Sequence, residues 1–167
     1  MSNYQLDETD RKILKFLVSD ARTPYLEIAR KCGISGAAVH QRIKKLENNG
    51  IINGSKLNVS PKAVGLNICA FIAVQARNIN YKQLVETLRE RPEITECHFI
   101  TGEYTMLLKI YCRNDENLMK LILSTVQSIP DIAKIETWLS LDQPIDRNLQ
   151  IFDPEQSQPD DGPQLLQ

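Results

Sequence analysis

Apolar residues recur at helical spacing through the first fifty positions and at strand spacing after position 67. In the first part, Asp7 caps a predicted helix whose Ile13, Leu14, Leu17 and Val18 share one face, ending around Asp20 to Arg22. Thr23 and Pro24 then read as cap and first residue of a short second helix. Its Tyr25, Ile28, Ala29 and Cys32 fall on one face, and Gly33 supplies a left-handed stop. Ser35 caps a third helix with Val39, Ile43 and Leu46 at i, i+4 and i+7, and Gly50 ends it. Two helices joined by a short Gly-containing turn, after a first helix, form a helix-turn-helix. The following "IINGSKLNV" predicts strand, Asn-Gly turn and strand, a hairpin that would be the wing of a winged helix-turn-helix. "SPKAVGLN" reads as a linker, because Pro61 and Gly65 interrupt any period.

From Asn67 the pattern is that of strands and helices in alternation. "ICAFIAVQA" is apolar on both faces, with Ile68, Ala70, Ile72 and Val74 on one and Cys69, Phe71 and Ala73 on the other. Tyr81, Leu84, Val85 and Leu88 predict a helix, "ITECHFIT" and "YTMLLKIYC" two strands, Leu118, Leu121, Ile122, Val126 and Ile129 a helix, and "IAKIETWLSL" a last strand. The order is βαββαβ, a ferredoxin-like plan with a four-stranded antiparallel sheet and both helices on one face. A weak repeat, Pro92-Glu93-Ile94 against Pro130-Asp131-Ile132, supports two βαβ halves. The second sheet face then needs a cover, and a second copy of the same sheet is the simplest, giving a two-fold dimer. The reading is α+β with domains at 1–60, 67–152, a 61–66 linker, and a disordered tail at 153–167 rich in Pro, Gln and acid.

Charge sharpens this division. The net charge of −1 hides an N-terminal 60 residues at +4 and a remainder at −5, so the first domain is the one suited to a polyanion. With 42% hydrophobic and 25% charged residues the chain can bury a core. It has neither a membrane-length apolar run nor a signal-peptide segment in "MSNYQLDETDRK", which predicts a cytoplasmic protein. Cys32, Cys69, Cys97 and Cys112 are scattered without metal-ligand spacing and read as reduced core thiols. No metal or cofactor is expected.

On the third helix the apolar seam leaves Ala37, His40, Gln41, Lys44 and Asn48 facing outward, with Arg42 and Lys45 at the flanks. Ser35, Gly36 and Ala37 at its N-terminus allow close backbone approach to a phosphate, where free N–H groups and the helix dipole favour an anion. His40 and Gln41 are suited to base edges, and Arg42, Lys44 and Lys45 to phosphates. The competing reading is a solvated face of an amphipathic helix; the surrounding helix-turn-helix favours double-stranded DNA.

The stretch from "LDETDRKIL" through "IARKCGIS" to "RIKKLENNGII" resembles the N-terminal domain of the Lrp/AsnC (leucine-responsive/asparagine-responsive, feast/famine) regulators. The resemblance continues through "ECHFITGEYTMLLKI" and spans roughly residues 6 to 152. It implies a prokaryotic transcription regulator that binds DNA through its winged helix-turn-helix. It also implies a second domain that forms homodimers, often octamers, and senses small effectors, usually amino acids, bound between dimers. The implied effector loop is Gly102-Glu103-Tyr104-Thr105, where the family carries a Gly-Asp-Tyr-Asp-like motif. Thr105 removes a carboxylate suited to an amino acid's ammonium group.

Two rival readings keep less of this: an architectural protein that coats DNA without an effector, and a ferredoxin-like metabolite-binding module. No acid/base constellation supports an enzyme. Cys97 and His98 are adjacent on a strand, hence on opposite faces, and share no ligand or proton. Glu86, Glu90, Glu93 and Glu96 read as solvated acids, and Trp138 with Ile135, Leu139 and Leu141 as packing at a sheet face or subunit boundary.

Overall fold

The computed structural model describes residues 4–77, 80–128 and 132–152. Its elements are α1 (Glu8–Ser19), α2 (Tyr25–Cys32), α3 (Gly36–Asn48), β1 (Ile68–Ala76), α4 (Tyr81–Arg89), β2 (Ile94–Phe99), β3 (Met106–Cys112), α5 (Asp115–Ser128) and β4 (Ile132–Leu139). They form two compact units, one of residues up to Leu57 with the C-terminal stretch from Asp146, the other Asn58–Ile145.

The three helices of the first unit begin and end for local reasons. Asp7 caps α1 and closes a capping box with Asp10, each side chain accepting from the other's backbone N–H. The start of α2 differs from expectation. Pro24, with extended backbone, is the cap residue and Tyr25 the first helical one, while the Thr23 hydroxyl donates to the Asp20 carbonyl. Gly33, at φ 68°, stops α2 in the left-handed conformation. Ser35 accepts from Ala38 N–H and starts α3 two residues later. Ile13 of α1, Ile28 and Ala29 of α2, and Val39 and Ile43 of α3 form the buried core, with Cys32, Ile34, Phe16 and Leu17 packed against it.

The predicted hairpin is not observed as a strand pair. Residues 52–60 carry no strand assignment, and Leu57 and Val59 are 74% and 47% exposed. Ile52 packs against the helical core, but Leu57 and Val59 of the expected second strand have no such surface to cover, and an isolated two-stranded ribbon is at best marginal in water. Pro61 instead starts a single 3-10 turn, Lys62–Val64, closed by Gly65. At the other end, residues 146–152, expected to continue the second domain, group with the first unit. There Asn148 donates to the Val18 carbonyl at 2.9 Å and Arg11 to that of Phe152 at 3.1 Å.

The second unit has the ferredoxin-like sheet, in the order β2-β3-β1-β4 with every pairing antiparallel. Alternation along the central strands divides the side chains. Ala70, Ile72, Val74 and Ala76 of β1 and Met106, Leu108, Ile110 and Cys112 of β3 pack with Leu84 and Leu88 of α4 and Leu118 and Leu121 of α5. Phe71, Leu107, Tyr111 and Trp138 lie on the opposite face, fixed there by the pairings Phe71 with Trp138 and Cys69 with Tyr111. All four cysteines are free: Cys112 is buried, Cys32 and Cys69 are half-buried, and Cys97, against expectation, is exposed on the edge strand β2. The predicted repeat and last turn of α5 fall partly on Ile129, Pro130 and Asp131, and these, the Val126 side chain and the tail 153–167 lie outside the described residues.

Candidate DNA interface and effector loop

In the first unit, Val39, Ile43 and Leu46 of α3 are at most 4% exposed, so the seam fixes which side of the helix faces out. That side presents Ala37, His40, Gln41, Lys44 and Lys45, all exposed, with Ser35 exposed at the N-terminus and Gly36 half-buried. Gln41 and Lys44 make no side-chain hydrogen bond or ion pair among the described residues and are available to a ligand. Gly36 does more than clear the N-terminus: a Cβ there would come 3.2 Å from Cδ2 of Leu26, so its absence lets α2 and α3 approach. Periodicity assigns Tyr25 only to the apolar face of α2, yet its ring lies 6.0 Å from that of His40 and restricts the imidazole from the α2 side.

Arg42 is differently placed from its neighbours. Its Nη1 donates to Asp7 Oδ2 at 2.6 Å and Asp10 Oδ1 at 2.8 Å, and Asp10 is wholly buried. The Tyr4 hydroxyl donates to the other oxygen of Asp10 at 2.6 Å, and Lys45 Nζ stands 4.7 Å over the Tyr4 ring. The hydrogen bond to Asp10, assisted by desolvation, pushes the Tyr4 phenol up to about 12, so it remains a donor at neutral pH. Burial works against the Asp7 charge, but the Asp10 N–H and the Arg42 guanidinium outweigh it and hold the carboxyl below its usual range.

The loop implied as effector site lies between β2 and β3 in the second unit. Gly102 turns it at φ 115°. Thr105 is committed to the sheet: its hydroxyl donates to the Val74 carbonyl at 3.0 Å and accepts from Ala76 N–H at 3.2 Å. Glu103 and Tyr104 instead meet β4. Lys134 Nζ is 2.9 Å from Glu103 Oε1, 2.8 Å from Glu136 Oε1 and 5.2 Å over the Tyr104 ring, and Tyr104 stands edge-on to Trp138 at 6.1 Å. The hydrogen bond to Lys134 holds Glu136 below the usual carboxylate range, and Lys134 is raised in turn by Glu136, Tyr104 and Glu103. The sequence pattern does not single out Lys134 and Glu136. Their i, i+2 spacing with Trp138 marks one strand face, but only the order of strands shows that this face meets the loop. Among the described residues no group of three His, Cys, Asp or Glu is arranged to hold a metal ion, and no helix is long and apolar enough to cross a membrane.

Comparison with known proteins bears on both halves. Residues 6–53 match a winged helix-turn-helix DNA-binding model, and residues 69–150 match the Lrp/AsnC ligand binding domain. The chain belongs to the Lrp/AsnC family. Regulatory protein AsnC of Escherichia coli K12 is 35% identical over 150 residues, covering 89% of this chain and 99% of its own. The solved structure of E. coli AsnC superposes with a TM-score of 0.79 at 34% identity, over 88% of this chain and 99% of that one. A transcriptional regulator of Neisseria meningitidis, solved as a complex with L-Met, gives a TM-score of 0.77 at 27% identity, over 87% and 96% of the two chains. The chain is therefore a DNA-binding transcription regulator of this family, with a winged helix-turn-helix domain followed by a ligand-binding domain. The wing enters with the family description; in this chain its residues form no strand ladder.

Because Asp7 titrates lower when folded than unfolded, its stabilisation is present above its unfolded value near pH 4 and is lost as pH falls through the folded value. Asp7→Asn keeps one acceptor oxygen for the cap but removes the charge and replaces the oxygen that accepts from Arg42 with an NH2 donor. Thermal unfolding followed from about pH 6 down to about pH 2 is expected to show wild type above the variant at the upper end. The two should converge as the acid limit is approached.

Proposed function

We propose that α3 is the recognition helix and enters the major groove with His40 and Gln41 at base edges and Lys44 and Lys45 at phosphates. Ser35, Gly36 and Ala37 bring its N-terminus to a further phosphate, and Arg42 flanks the face. The observation that carries this is the division of α3 into a buried seam and an exposed polar side whose Gln41 and Lys44 have no internal partner among the described residues. One such helix makes few base contacts, so sequence selectivity comes from two copies on half-sites about one helical turn, or multiples of it, apart. The half-covered face of Phe71, Leu107, Tyr111 and Trp138 is the surface through which two chains pair, as a homodimer that assembles further, to an octamer or similar. The protein acts in the cytoplasm by binding rather than by catalysis.

The effector is an amino acid, read at the margin of that sheet by the loop Gly102, Glu103, Tyr104 and Thr105 with β4. The L-Met complex of the Neisseria regulator supports this ligand class. In this chain Glu103 and Glu136 offer carboxylates to an ammonium group, Lys134 a cation to a carboxylate, and Tyr104 and Trp138 apolar surface. Thr105, engaged by β1, shapes the loop through its backbone ties. Binding acts by favouring one assembly over another, through its differential affinity for them.

Changing Lys44 and Lys45 together to alanine is expected to weaken duplex binding and to reduce the slope of log affinity against log salt by about 0.9 for each phosphate no longer neutralised. An unaltered slope in fluorescence anisotropy would remove both lysines from the phosphate set. Trp138 is the chain's single tryptophan, so its emission reports on the loop directly. Titration with each amino acid is expected to give a saturable change for at least one of them, abolished in Glu103→Gln/Glu136→Gln. A flat response to all would end the amino-acid reading.

A further inference from the structure

We infer that Arg42, with Asp10, Asp7 and Tyr4, is a positioning device that sets the roll of the recognition helix, and that its guanidinium does not contact DNA. This rests on α3 being the helix that reads the groove. Electrostatics sets Arg42 apart from the other cations of α3. Arg42 stands beside two carboxylates, Asp7 and Asp10, at 2.6 Å and 2.8 Å, so this corner carries two formal negative charges against one positive. The Asp7 side chain is 52% exposed, and a phosphate approaching Arg42 meets that carboxylate too. Lys44, two residues further along the same helix and without a carboxylate partner among the described residues, is the cation that a phosphate meets without competition.

The geometry of α3 adds a separate constraint. The seam of Val39, Ile43 and Leu46 holds α3 by apolar burial, which is non-directional and constrains roll about the helix axis weakly. A roll of about 20° moves a side-chain tip at a radius of about 6 Å by about 2 Å. That is enough to carry His40 or Gln41 out of hydrogen-bond range of a base edge. Arg42 projects from the flank of the same helix and is tied by directional, charge-assisted bonds to the first turn of α1. Its principal anchor, Asp10, is fixed in turn: it is wholly buried, accepts from the Tyr4 hydroxyl, and closes the capping box with Asp7. The start of α1 thus serves as a fixed post to which the recognition helix is pinned. The two negative charges, although placed in a domain that binds a polyanion, hold the reading face at its angle.

The test uses the full chain, a labelled duplex selected from a random-sequence pool by the wild-type protein, and an unrelated duplex of the same length. Affinity for each is measured across a salt series for Arg42→Met, Arg42→Lys and Asp10→Asn. For a positioning device, Arg42→Met lowers affinity for the selected duplex by about tenfold, the order of one mismatched base pair, with the salt slope unchanged and the unrelated duplex little affected. Both bonds come from Nη1, and Arg42→Lys, which keeps the charge on a side chain one bond shorter, does not reach both carboxylates and does not restore selectivity. Asp10→Asn also weakens the selected complex, although it removes a negative charge. The inference is overturned if Arg42→Met weakens both duplexes equally with a slope reduced by about 0.9, if lysine restores binding in full, or if Asp10→Asn leaves binding intact or tightens it. Should circular dichroism show these variants unfolded, Tyr4→Phe decides. It deletes one hydroxyl from the same carboxylate, and a several-fold drop in selectivity supports the device while unchanged selectivity overturns it. A wild-type chain that selects no sequence from the pool would instead count against α3 as the reading helix.

Discussion

The buried seam of α3 is the constraint on which the first unit depends. Val39, Ile43 and Leu46 are packed into the core with Ile13 and Ile28 close by, and a helix with one side so committed has little choice about what it shows to solvent. The side left over holds the imidazole, the amide and the lysines. A seam fixes a helix's face more firmly than its roll, however, and selectivity between bases depends on the roll. The Asp7–Asp10–Arg42 network supplies that missing constraint with directional bonds, and the carboxylate it buries stays tolerable because it is fully partnered.

The second unit applies the same logic to a sheet. Alternation sends one set of β1 and β3 side chains under the helices and the other set to a face without helices, where Phe71 and Tyr111 meet Lys109, itself paired with Glu96. At the end of that face the loop after β2 is bound in by Thr105, so Glu103 and Tyr104 are held where β4 presents Lys134 and Glu136. Thr105 is thus a structural residue here. The acidic groups at the same place, Glu103 and Glu136, are both paired to Lys134.

Much of this was legible in the sequence because period and punctuation agree. Asp7, Gly33 and Ser35 mark helix ends that the structure reproduces, and the two-faced apolar run 68–76 is the central strand that such a pattern requires. What escaped has a common physical character: it depends on partners distant in the chain. Arg42 reads as a phosphate ligand until Asp7 and Asp10, more than thirty residues earlier, are found against it. Lys134 gains meaning only from a loop thirty-one residues away. The Asn-Gly hairpin signal failed for the opposite reason, since local turn chemistry without a surface to cover does not hold two short strands together.

The central claim is that α3 meets DNA with its exposed face while Arg42 stays bound within the protein. A crystal structure of the full chain on a selected duplex tests both parts at once. It is predicted to show α3 in the major groove, His40 and Gln41 within hydrogen-bond reach of base edges, and Arg42 still on Asp7 and Asp10. Arg42 on a phosphate with Asp10 left unpartnered, or α3 lying outside the groove, would contradict the account.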